Sequence, residues 1–168
     1  MALAILSVCA FSQPQDKSKR SSPPGVAEVA LTGKKITIDY SRPSLKGRKL
    51  GQELAPYGQV WRTGANEATT LTTEIDLEIG GIKVPAGKYT IYTLPAQGAW
   101  KLIINKQTGQ WGTQYDQGQD LARIDMKQAS LPQTVEQFTI ALEKKSPTLA
   151  TLNLDWENTR VWIEVKAQ

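Results

Sequence analysis

The sequence predicts an all-β fold, a jelly-roll-like antiparallel β-sandwich of nine or ten strands. Three observations lead there. From Val29 to Val165 apolar and polar residues alternate with the period of a half-buried strand; those stretches are rich in Val, Ile, Thr, Tyr and Trp; and turn signals recur at the spacing of a sandwich or barrel. Helical spacing is nearly absent. One-sided alternation gives each strand one face to bury, and two sheets pressed together bury them all. A closed barrel satisfies the same pattern and stays open as an alternative.

The elements follow in order. Val29 and Leu31 precede the turn Thr32-Gly33-Lys34, and Ile36, Ile38 and Tyr40 return on one face, which is a hairpin. Leu71, Thr73, Ile75, Leu77 and Ile79 read as one long strand ending at Gly80-Gly81, a pair that tolerates the positive φ of a tight hairpin. Ile82 and Val84 begin the return. Pro85-Ala86-Gly87 then turns the chain into Tyr89 to Leu94, and Gln97-Gly98 turns it into Trp100, Leu102 and Ile104. Ala122, Ile124 and Met126 alternate with charged residues, favouring a strand over a helix, and Phe138, Ile140 and Leu142 repeat the pattern. Leu152, Leu154 and Trp156 lead to a turn near Asn158, after which Val161, Ile163 and Val165 close the chain.

A chain of 168 residues has room for one domain with its own core. The reading divides it into an export signal (1–12), a polar flexible linker (13–25) and one sandwich domain (26–168). Ala2 to Phe11 is apolar and too short to span a bilayer, and Ala10-Phe11-Ser12 before Gln13 is the small-x-small pattern of a cleavage site. Export to the periplasm or exterior is therefore expected, with no transmembrane segment. Leu6-Ser7-Val8-Cys9 offers a less favoured alternative, a lipid anchor on Cys9.

Histidine is absent and Cys9 is the single cysteine, which excludes Ser-His-Asp and Cys-His nucleophiles, imidazole and thiolate metal sites, and disulfides. Of the net charge of +4, half sits in the linker, where Lys17, Lys19 and Arg20 face only Asp16. The rest is nearly balanced, so nucleic acid is not an expected partner.

The two stretches without clear alternation, 42–64 and 105–118, are where binding groups are expected, because loops on a rigid scaffold carry function. They hold an ordered series of short motifs: Tyr40-Ser41-Arg42-Pro43-Ser44, Lys46-Gly47-Arg48, Pro56-Tyr57-Gly58, Val60 to Thr69, and Asn105-Lys106 leading to Gln110-Trp111-Gly112. This series resembles the secreted bacterial family known as domain of unknown function 2911, from about Gly25 to the C-terminus. The resemblance implies export and a single β-rich domain, and it implies no particular activity, substrate or cofactor.

The candidate ligand-binding residues are Arg42, Tyr57, Arg62, Asn66, Glu67, Lys106, Trp111 and Tyr115. Arg62 can clamp an anion bidentately, with Asn66 and Glu67 bonding hydroxyls or amides; alternatively Arg62 and Glu67 form an internal pair that ties the sheets together. Arg42, Lys46 and Arg48 form either a basic rim or an ordinary soluble surface. Trp111 and Tyr115 offer flat rings for sugars or peptides, or cover the open end of the sandwich. Trp100 and Trp156 fall in phase with the core, whereas Trp162 is out of phase. Asp116 to Asp120 has too few oxygen ligands for a calcium loop, and neither metal nor cofactor is expected.

The favoured function is a non-catalytic binding module for a glycan, peptide or small organic anion. A structural envelope protein with an internal Arg/Asn/Glu network is the alternative. A third reading is a glycosidase-like hydrolase pairing Glu67 with Glu53 or Asp116. Oligomeric state is not read from the sequence.

Overall fold

The computed structural model describes residues 16–168; the expected export signal and Cys9 lie outside the described residues. Among the described residues, ten strands form two antiparallel sheets: β1 (Pro24–Leu31), β2 (Lys34–Ser41), β3 (Thr70–Thr73), β4 (Leu77–Ile79), β5 (Ile82–Val84), β6 (Gly87–Leu94), β7 (Lys101–Asn105), β8 (Asp120–Asp125), β9 (Lys127–Lys144) and β10 (Leu149–Ala167). One sheet has the order β1-β2-β3-β6-β7-β8 and the other β5-β4-β10-β9, so the fold is a sandwich and the barrel alternative falls. No helix among the described residues is long and apolar enough to cross a membrane.

The alternation does what it predicts. Ile36, Ile38 and Tyr40 of β2, Leu71 of β3 and Leu102 and Ile104 of β7 are buried against Leu152, Leu154, Trp156, Val161, Ile163 and Val165 of β10. Burying each such side chain contributes about 1.5–3 kcal/mol. Thr32 and Gly33 both have positive φ, as do Gly80 and Gly81, which is the twist a two-residue hairpin needs.

Three elements differ from the sequence reading. The stretch Leu71 to Ile79 is two strands in different sheets: Thr73 Oγ1 donates to Ile75 O at 2.6 Å and accepts from Ile75 N at 3.3 Å, and this local turn carries the chain across the sandwich. The expected turn near Asn158 is a bulge inside the continuous β10, where the register against β9 shifts on both sides of Glu157, whose φ is +53°. The 13–25 segment, from Asp16 onward, is docked on the fold, and β1 begins at Pro24.

The outer edge of β9 is closed by the segment after β2. Leu45 N donates to Glu136 O at 2.9 Å, Phe138 N to Pro43 O at 2.9 Å, and Ile140 N to the Tyr40 hydroxyl at 2.9 Å. Such an edge would otherwise present unpaired donors. Tyr40→Phe removes the acceptor and strands the buried Ile140 N–H, so urea unfolding should show a loss of about 1–3 kcal/mol with an unchanged m-value.

Candidate functional site

Residues 60–69 leave β-structure but are not loose. Trp61 bridges Thr93 of β6 through both backbone bonds, N to O at 2.8 Å and the reverse at 3.0 Å. Thr63 and Thr69 then tie the turn internally: Thr63 Oγ1 donates to Thr93 Oγ1 at 3.1 Å, and Thr69 Oγ1 to Thr63 O at 2.8 Å, all fully buried. The second loop zips onto this turn through Gly112 N to Asn66 O at 3.0 Å and Ala68 N to Gln110 O at 3.2 Å. Gly112 has to be glycine here. A Cβ would lie 2.7 Å from Arg62 Cδ and 2.9 Å from Asn66 O.

These contacts bring the two long loops to one cavity of about 530 Å³, within the range of small-molecule sites. Its floor is apolar, with Trp61 and Trp156 stacked at 5.4 Å, and Tyr92 and Tyr115 in edge contact at 4.7 Å form part of its wall. Arg62, Arg48 and Glu53 bring charge to it, and Ser21 and Ser22 complete the wall from the N-terminal side.

Arg62 is the distinctive group. It is partly buried, and among the described residues its guanidinium has neither a carboxylate nor a hydrogen-bond partner. Burial pushes its pKa down, yet a guanidinium keeps its charge at any physiological pH. Arg48 is engaged, donating to Leu45 O at 3.1 Å and Ser44 O at 2.9 Å. Glu53, exposed, accepts from Lys49 N at 3.0 Å, a bond that holds its pKa below the ordinary value.

The internal pair between Arg62 and Glu67 is not formed. Glu67 instead accepts from Arg20 Nη1 at 2.8 and 2.9 Å and meets Lys17 Nζ at 3.0 Å. Desolvation alone would raise its pKa; its own backbone N–H, Arg20 and Lys17 outweigh that and bring it to about 2. Asn66, at φ +61°, donates from Nδ2 to Ser22 O at 3.2 Å.

The other sequence candidates divide. Tyr115 lines the cavity, but its hydroxyl donates to Asp120 at 2.6 Å and accepts from Arg123 at 2.7 Å; burial first, then the Asp120 bond, pushes its pKa up to about 12. Arg42 lies outside the lining and donates to Phe138 O and Thr139 Oγ1, where it helps close the β9 edge. Tyr57 and Trp111 are exposed beside the cavity residues Pro56 and Gly112, and Lys106 is exposed away from the cavity wall. Trp100 and Trp156 are core, and Trp162 is partly exposed with Lys127 Nζ 4.4 Å from its ring centroid.

Sequence reasoning missed Tyr92, Ser21, Ser22 and the floor formed by Trp61 and Trp156. Tyr92 carried a signal: it is an aromatic out of phase with Tyr89 and Ile91 on the same strand. The serines carried none, since nothing in a polar segment announces where it docks.

With its fold and cavity in view, the chain is an antiparallel β-sandwich with a ligand-sized cavity at the meeting of two loops. It belongs to the family described as "Protein of unknown function (DUF2911)", whose profile matches residues 22–165. Comparison with curated proteins and with solved structures finds no match for either.

Proposed function

We propose that the protein is a non-catalytic binding module that takes a small organic anion, with Arg62 as the anion clamp. The observation that carries this reading is a partly buried guanidinium lining a cavity with no carboxylate partner among the described residues. Its nitrogens are not among the buried atoms that lack a partner, so they stay within reach of solvent, and a planar carboxylate offers the bidentate partner that Arg62 lacks. The aromatic floor and wall suit a flat apolar body behind that carboxylate.

Two observations weigh against the alternatives. A purely structural network needs Arg62 and Glu67 to satisfy each other, and Glu67 is bound to Arg20 and Lys17 instead. A glycosidase pair needs two carboxylates across one cleft. Of Glu53, Glu67 and Asp116, only Glu53 lines the cavity.

The proposed place of action is the periplasm or the cell exterior, supported by the apolar run Ala2 to Phe11 and the small-x-small sequence after it.

The test is a thermal-shift comparison of matched probes, benzoate against benzamide and glucuronate against glucose. At a ligand concentration ten times Kd, binding to the native state adds about 1.4 kcal/mol, a rise of roughly 3–6 °C for a domain of this size. At least one of the anions is expected to raise the melting temperature while its neutral counterpart does not. Equal shifts within each pair, or no shift with any probe, would overturn the reading.

A further inference from the structure

We infer that residues 17–22 form a latched wall of the cavity, and that Glu67, which does not line it, is the positioning residue that holds Ser21 and Ser22 against the ligand. The ligand half of this inference rests on the anion-binding reading; the latch itself does not.

The segment is docked by contacts of two kinds. Toward the fold, Asn66 Nδ2 donates to Ser22 O at 3.2 Å and Arg42 N donates to Pro23 O at 2.8 Å, which fixes where the chain enters β1. Upstream, Glu67 gathers Lys17 at 3.0 Å and Arg20 at 2.8 Å, and Asp16 caps the short 3₁₀ turn 17–19 by accepting from Ser18 N at 3.1 Å. Between these two anchorages lie Ser21 and Ser22, both in the cavity wall. Two serines thus border a space whose charged clamp, Arg62, comes from the opposite end of the turn that carries Glu67.

The composition of residues 16–22 explains why one carboxylate matters so much. The segment has no apolar side chain to bury, so hydrophobic burial cannot hold it. Its docking is electrostatic and hydrogen-bonded. Residues 17–21 also precede the family match, which begins at 22. The wall therefore straddles the start of the matched domain, Ser21 lying just outside it and Ser22 just inside, and the two serines would tune which anions this protein accepts.

The sign of the pH dependence follows from Glu67. Its pKa is lowered from 4.5 to about 2 by its own backbone N–H and then by the docked Arg20 and Lys17, which together outweigh desolvation. The share that Arg20 and Lys17 supply is fully present above about 4.5 and is lost as pH falls toward 2. The segment should detach in that window.

Limited trypsin digestion of the full chain at neutral pH tests the latch, following cleavage after Lys19. Glu67→Gln is expected to cleave several-fold faster than wild type at low salt, with the gap narrowing as salt screens the pairs. Reversing the charges with Lys17→Glu, Arg20→Glu and Glu67→Arg together is expected to restore protection. Equal cleavage of wild type and Glu67→Gln overturns the latch, whatever binds in the cavity. Benzoate Kd is then compared in the two proteins. A weaker Kd in Glu67→Gln at an unchanged melting temperature supports the wall acting on the site. An identical Kd overturns that role and leaves the anion reading intact, whereas a wild-type chain that binds no anion sinks the anion reading and the wall's ligand role with it, leaving only the latch.

Discussion

Replacing Arg62 with Met is expected to weaken benzoate binding about 10- to 100-fold while the ligand-free melting temperature stays the same or rises slightly. The affinity loss is that of a charge-assisted hydrogen-bond pair, about 1.5–3 kcal/mol. The stability expectation has the opposite sign because of what Arg62 lacks. No described residue pairs with the guanidinium, so removing its charge strands no partner and relieves a group whose pKa burial already lowers. Met keeps an unbranched stem over Gly112, where the Arg62 side chain lies so close that a Cβ would meet its Cδ at 2.7 Å. Calorimetry of the ligand-free protein and a benzoate titration together read both quantities. A fall in melting temperature with unchanged benzoate affinity would make Arg62 a structural tie and remove the clamp from the site.

That opposition of signs separates what the sequence could reveal from what it could not. Period-two patterning exposes which face of a strand is buried, and so Ile36, Ile38, Leu152, Leu154 and Trp156 were legible as core. It is blind to where a strand ends within an alternating run. Thr73 closes a local turn through its hydroxyl, and the pattern continues through that turn although the chain changes sheet. The bulge at Glu157 has the same character: Asn158 reads as a turn, yet β10 runs on.

The site shows a similar split. Loops 42–64 and 105–118 stood out because they break the alternation, and both contribute to the cavity. Which carboxylate meets which cation is a matter of three-dimensional competition. Glu67 lies five residues from Arg62 in sequence, but Lys17 and Arg20, about fifty residues away, reach it first and leave Arg62 to the cavity. A polar segment rich in Lys, Ser and Pro reads as a linker because it buries nothing apolar. What docks it, Glu67 on Lys17 and Arg20 together with Asn66 on Ser22 O and Arg42 N on Pro23 O, lies far along the chain and leaves no mark in the segment itself.

Trp156→Ala is expected to cost about 3–5 kcal/mol, the usual range for emptying a buried aromatic site, against a total stability of roughly 5–15 kcal/mol for a domain. Trp156 is 3% exposed, stacks on Trp61 at an interplanar angle of 17°, contacts Phe138 at 5.5 Å and donates from Nε1 to Glu136 O at 3.2 Å. Trp61 in turn meets Trp100 and Phe138 edge-on at 6.3 and 5.0 Å, so this cluster joins the two sheets beneath the cavity. Removing one ring therefore acts twice. It opens a void in the core, and it takes away the support of Trp61, the residue adjoining Arg62. Urea unfolding followed by circular dichroism should show the lowered midpoint, and the surviving folded protein should also bind benzoate more weakly although Arg62 is intact. Trp156→Phe retains one ring in the stack and loses the indole's second ring and its donor to Glu136 O, so it should recover most of both losses; if it recovers stability but not affinity, the floor contributes to binding through the indole itself and not through the shape it gives to Trp61.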